Sequence, residues 1–150
     1  MEYTKQRFYA SLLIMGSAIL LYRTICMVAE GSLVRLQWWV SMLLIMEMAL
    51  DLGWMLASMF WFRNSDPQKD RLPLRLATAA ILLHAFRVLI FVLGRTGSWT
   101  NFDVRPEYLA IHPETWSRSG VWFAAIMSAL GVLGVIVVWR IRVDRKRKSR

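Results

Sequence analysis

The sequence predicts an all-α, four-helix transmembrane bundle in a single membrane domain, with both termini on the cytoplasmic side. Three observations carry this expectation. Hydrophobic residues make up 57% of the 150-residue chain, above the roughly 45–50% of ordinary soluble domains. They fall in four blocks, each closed by charge, glycine or proline, and about 20 apolar residues suffice to cross a hydrocarbon core. Lys and Arg, finally, gather in alternate connections, which sets orientation in a membrane.

The first span is expected over 8–29. It follows a short charged start, MEYTKQRF, and ends without a small-residue cleavage site, so it is expected to be retained rather than removed as a signal peptide. The link at 30–32, Glu-Gly-Ser, is too short for anything but an antiparallel neighbour. The second span, over 34–62, contains QWWVSMLLIMEMALDLGWMLASMFWF. Its polar follower, RNSDPQKDRLP, reads as a turn-rich connection. Pro73 then stands where proline suits a helix start, and the third span is expected over 74–94. A long outer loop occupies 95–118, stiffened by Pro106 and Pro113. The fourth span, over 119–139, carries no charge and holds Ala124, Ser128, Ala125 and Ala129 as small-xxx-small pairs, a pattern that lets helices approach closely. A basic tail fills 140–150.

Charge sets the sidedness. Lys5, Arg7, Arg63, Lys69, Arg71, Arg75 and the tail cations fall on one side, against Arg35, Arg95, Arg105 and Arg118 on the other. The richer side is expected to be cytoplasmic, in a bacterial inner (plasma) membrane. Trp38, Trp39, Trp99, Trp116 and Trp122 fall at outer ends and Trp61 and Trp139 at inner ends, as an aromatic belt does; only Trp54 is deep.

The polar residues at membrane depth are the candidate site. Glu47 and Asp51 lie four apart and therefore share one helix face. A charge at the bilayer centre costs on the order of 2.5–3.5 kcal/mol on insertion scales unless it is answered. At ~1.5 Å per residue, Arg23, Glu47 and Arg87 fall at similar depths, with Asp51 and His84 near mid-span. One buried ionic cluster of Arg23, Glu47, Asp51, His84 and Arg87 is expected. It either pins the helices to one packing or forms a functional site. In the outer loop, Asp103, Arg105, Glu107 and His112 are further candidates, able to lie over the bundle mouth.

Several chemistries are not expected. The formal charge of +9 is concentrated in the tail, where Arg140, Arg142, Arg145, Lys146, Arg147 and Lys148 face anionic lipid headgroups more naturally than nucleic acid. Cys26 is the single cysteine, which excludes an intrachain disulfide. One histidine at membrane depth gives no second axial ligand for a haem, and Met42, Met46, Met48, Met55 and Met59 spread around their helix as packing residues do. No cofactor or metal is expected. The expected role is a non-enzymatic subunit or accessory component of a larger membrane assembly, associating with itself or a partner through the fourth span. The alternatives are a small oligomeric transporter, channel or holin-like pore that uses the charge cluster, and a membrane enzyme acting on a lipid-soluble substrate.

Overall fold

The computed structural model describes residues 3–64, 67–95, 102–108 and 118–148. Their backbone is helical, and no strand occurs among them beyond an isolated bridge between Leu36 and Val104. The long helices are α1 (Tyr3–Ala29), α3 (Trp38–Arg63), α4 (Arg71–Arg95) and α5 (Arg118–Lys148), with a short turn of helix, α2 (Ser32–Arg35), after α1. Among the described residues, three stretches are long and apolar enough to cross a membrane: Thr4–Ala29, Trp38–Arg63 and Arg71–Gly94.

Each of the first three long helices buries one stripe. On α3 the buried positions are Val40, Leu44, Glu47, Asp51, Trp54, Ser58 and Trp61, alternating three and four apart, the spacing that keeps one face of a helix turned to its neighbours. On α1 the stripe is Gln6, Ala10, Leu13, Ser17, Leu20 and Thr24. On α4 it is Leu74, Ala77, Ile81, His84, Arg87 and Ile90. The opposite faces carry exposed apolar side chains such as Phe60, Tyr22 and Leu82, a surface that suits lipid rather than water.

α1 packs along α3, α3 along α4 and α4 along α5, while α5 and α1 meet only lightly. The start of α1 lies beside the end of α3, because Gln6 Nε2 donates to Trp61 O at 3.0 Å and Asn64 O at 2.6 Å. These carbonyls lie at a helix C-terminus, where the regular backbone ladder runs out. The start of α1 also meets the end of α5, through Tyr9 and Asp144. Two helix starts and two helix ends are thus gathered at one end of the bundle.

Three local features differ from the sequence expectation. The second span is divided at Leu36, which turns extended. There, Gln37 N donates to Asp103 O at 2.8 Å and Arg105 N to Arg35 O at 2.9 Å, so the loop takes backbone groups that a continuous helix would have used. Gly31, at φ 86°, makes the reversal before it, a conformation glycine adopts without steric cost. α5 does not stop at Trp139 but runs on to Lys148, since no glycine or proline falls between those two residues and Ile141 is fully buried against the bundle. Trp61 is fully buried in the core, not at a lipid-facing rim.

Candidate functional site

The polar centre of the molecule lies between α3 and α4. Glu47 is on the buried stripe of α3; His84 and Arg87, three apart, are on the buried stripe of α4. His84 Nδ1 lies 2.7 Å from Glu47 Oε1. Arg87 Nη2 donates to the same oxygen at 3.2 Å, and Arg87 Nε donates to Glu47 Oε2. The guanidinium therefore grips both carboxylate oxygens, the fork geometry that makes arginine the preferred partner of a carboxylate. A carboxylate only accepts, so Nδ1 must carry the hydrogen that it shares with Glu47. Solvent reaches almost none of the three: Glu47 is 0%, His84 2% and Arg87 5% exposed.

Of the five residues expected to cluster, these three are joined by direct contacts. Asp51 lies one turn along α3, also fully buried, and neither of its carboxyl oxygens has a hydrogen-bond partner among the described residues. Arg23 is half-buried on α1. The contact from α1 to Arg87 that sequence reasoning missed is Met27, whose sulfur accepts from Arg87 Nη1 at 3.3 Å. Met27 is four residues after Arg23 and so on the same helix face, which is the signal that could have found it.

The outer-loop candidates have a different place. Val104 and Asp103 are buried, and Val104 belongs with Leu36, Val40 and Ile90 to an apolar cluster at the far end of the bundle. Phe102 stacks on Trp39 with ring centres 6.0 Å apart. Arg105 Nε donates to Leu36 O at 2.8 Å, and Gln37 Nε2 donates to Val104 O at 3.1 Å. Asp103 and Arg105 thus tie the loop to the break between α2 and α3, whereas Glu107 is exposed. His112 lies outside the described residues.

In the tail, Arg140, Arg142, Lys146 and Arg147 are exposed, while the side chains of Arg145 and Lys148 lie outside the described set. Arg142 Nη2 donates to Thr78 Oγ1 at 3.3 Å. Asp144 pairs with Lys5 Nζ at 2.8 Å and accepts from the Tyr9 hydroxyl at 2.6 Å. The Lys5 ammonium, helped by that hydroxyl, holds the Asp144 carboxyl below the usual aspartate range.

Among the described residues no group of three His, Cys, Asp or Glu side chains is placed to hold a metal ion. No protein-family model, curated protein or solved structure matches the chain. The chemistry of the site thus rests on its own geometry: a carboxylate that orients an imidazole and neutralises a guanidinium in a dry interior.

Proposed function

We propose that this is a four-span membrane protein, with 119–139 as the fourth span, acting as a non-enzymatic subunit or accessory component of a larger membrane assembly. Both termini lie on the cytoplasmic side of a bacterial inner membrane. The observation that carries the reading is the closure of the charge cluster. Glu47 receives three hydrogen bonds from His84 and Arg87 inside a fully buried seam. Such a cluster locks the register of two helices; a conduction path would need polar groups that water can reach.

The sidedness is supported by the helix ends gathered at one end of the bundle, which carry Lys5, Arg7, Arg63, Lys69, Arg71 and Arg75. The tail follows, with Arg140, Arg142, Lys146 and Arg147 exposed for anionic headgroups at roughly 1 kcal/mol per basic residue. The partner, a second copy or another membrane protein, packs on the outer face of α5. Ile126 and Ile136 are exposed there.

Cross-linking and native mass spectrometry after mild solubilisation test the association: a self-associated or partnered chain is expected, and a solitary monomer counts against it. A Ser149→Cys chain should take a membrane-impermeant thiol reagent only after the cells are opened. Labelling in intact cells would reverse the orientation.

A further inference from the structure

A cavity of about 200 Å³ lies where α1 and α5 fail to close on each other. Its making is visible in the sequence. Gly16 on α1 and Gly131 and Gly134 on α5 line it; Gly131 leaves the open space, since a Cβ there would meet nothing within 4 Å, whereas Trp54 lies against Gly16 and Ile81 against Gly134. Its wall is apolar, and its mouth lies among Met15, Ile19 and Leu133, which are exposed on the outer surface. Access is therefore from the lipid side.

Two polar side chains interrupt that wall. His84 and Trp54 both line the cavity and are each only 2% exposed. Neither His84 Nε2 nor Trp54 Nε1 has a hydrogen-bond partner among the described residues. A buried polar atom left in that state is costly to the fold. The polar seam decides which partner His84 would take. Its Nδ1 hydrogen is committed to Glu47, so with the ring uncharged Nε2 offers a lone pair that a donor can meet. Trp54 Nε1–H is a donor and must be met by an acceptor. A hydroxyl group is both.

We propose that this cavity binds a lipid-soluble alcohol or phenol, whose hydroxyl donates to His84 Nε2 while its apolar body fills the gap between α1 and α5. The site lies at mid-span, too deep for a phospholipid headgroup, which suits a molecule with one small polar group. The volume suits a ring or a short branched chain, with any longer tail leaving through the mouth into lipid, since an apolar cavity of about 150 Å³ already holds benzene. Glu47 is a positioning residue in this site: it fixes the histidine tautomer. The inference goes beyond the role proposed above and takes from it only that the chain is embedded in the bilayer.

The experiment compares protein-loaded with empty phosphatidylcholine nanodiscs for uptake of 4-octylphenol, farnesol and 4-octylanisole. Saturable excess uptake of the phenol or of farnesol is expected, and the tighter of the two identifies the ligand class. The methyl ether, which cannot donate, should bind at least roughly tenfold more weakly than the phenol. Gly131→Leu adds a side chain where a Cβ meets nothing within 4 Å, so it should fold normally and abolish the excess. Equal uptake in loaded and empty discs, ether binding as tight as phenol binding, or full binding by Gly131→Leu would each overturn the inference. Release of the chain from its membrane by alkaline carbonate would overturn the membrane reading and this inference with it. An embedded chain without saturable uptake overturns this inference alone.

Discussion

The seam between α3 and α4 and the seam between α1 and α5 solve opposite problems. In the first, long polar side chains reach across and interlock: Glu47, His84 and Arg87 are joined by direct hydrogen bonds and leave almost no exposed surface. In the second, α1 and α5 meet only lightly, Gly131 faces open space, and a cavity remains. Apolar side chains gain little by leaving lipid for each other, so helices in a membrane are held by shape and by hydrogen bonds. The contrast teaches where specificity resides. The charged seam fixes one register, because a slip of one residue would strand a carboxylate. The glycine seam tolerates exchange of whatever fills it.

Breaking the charged seam should give the largest effect. Glu47→Gln removes the charge that answers Arg87, and an uncompensated buried charge costs about 3–5 kcal/mol. The denaturant midpoint of the solubilised protein should fall accordingly, by circular dichroism. Replacing both partners, Glu47→Leu with Arg87→Leu, should recover most of that loss, because a buried pair often exchanges for apolar packing at little cost. If the single variant unfolds at the same midpoint as the parent, the seam is not what holds α3 to α4.

A matched pair of glycine substitutions sharpens the comparison at smaller scale. At Gly94, on α4, an added Cβ would lie 2.5 Å from Asp103 Oδ1, in the docked and buried part of the outer loop. Gly94→Ala should therefore destabilise by about 1–3 kcal/mol, as overpacking does. At Gly131 the same atom would meet nothing within 4 Å, and alanine is the better helix former by roughly 0.5–1 kcal/mol. Gly131→Ala should be neutral or mildly stabilising in the same denaturation assay. Equal penalties at both sites would contradict the difference between a closed and an open seam.

How far these seams could be read from the sequence follows from what is local. The spacing of Val40, Leu44, Glu47, Asp51, Trp54, Ser58 and Trp61 is a property of residue order, so the inward face of α3 is legible in the chain itself. The face of α4 that carries His84 and Arg87 is legible for the same reason. Contacts that depend on where another segment arrives were not. Gln6 reads as one more polar residue at a charged start, yet it closes the end of α3 from more than fifty residues away. The division at Leu36 depends on Asp103 and Arg105 returning from the loop. The tail reads as a solvated cationic run, but Ile141 and Val143 within it give α5 an apolar edge to continue along. The carboxyl of Asp51, without a hydrogen-bond partner among the described residues, was hidden too: spacing shows which way a side chain faces and not what meets it there.

The smallest predicted effect separates a dry ion pair from a wet one. Asp144 pairs with Lys5 at the rim of the bundle, with the lysine side chain 48% exposed, and exposed pairs add little stability and yield to salt. Its carboxyl is held below the usual 3.8 by the Lys5 and Tyr9 contacts. A depressed folded value means that the contribution is fully present above the unfolded value and lost as the pH falls through the folded one. Docking of the end of α5 should therefore be constant from neutral pH down to about 4 and weaken below it. Amide hydrogen exchange at Ile141–Asp144 reports this directly: exchange referenced to the unfolded rate should quicken only in that acid range, and high salt should quicken it at neutral pH. Asp144→Asn should exchange at the faster level throughout and lose the acid step. The Glu47 seam, sealed from solvent ions, should show no comparable response to salt, because screening acts on charges that solvent can reach. An Asp144→Asn protein that keeps the parent's acid step would assign that step to another group and leave the tail docked by Ile141 alone.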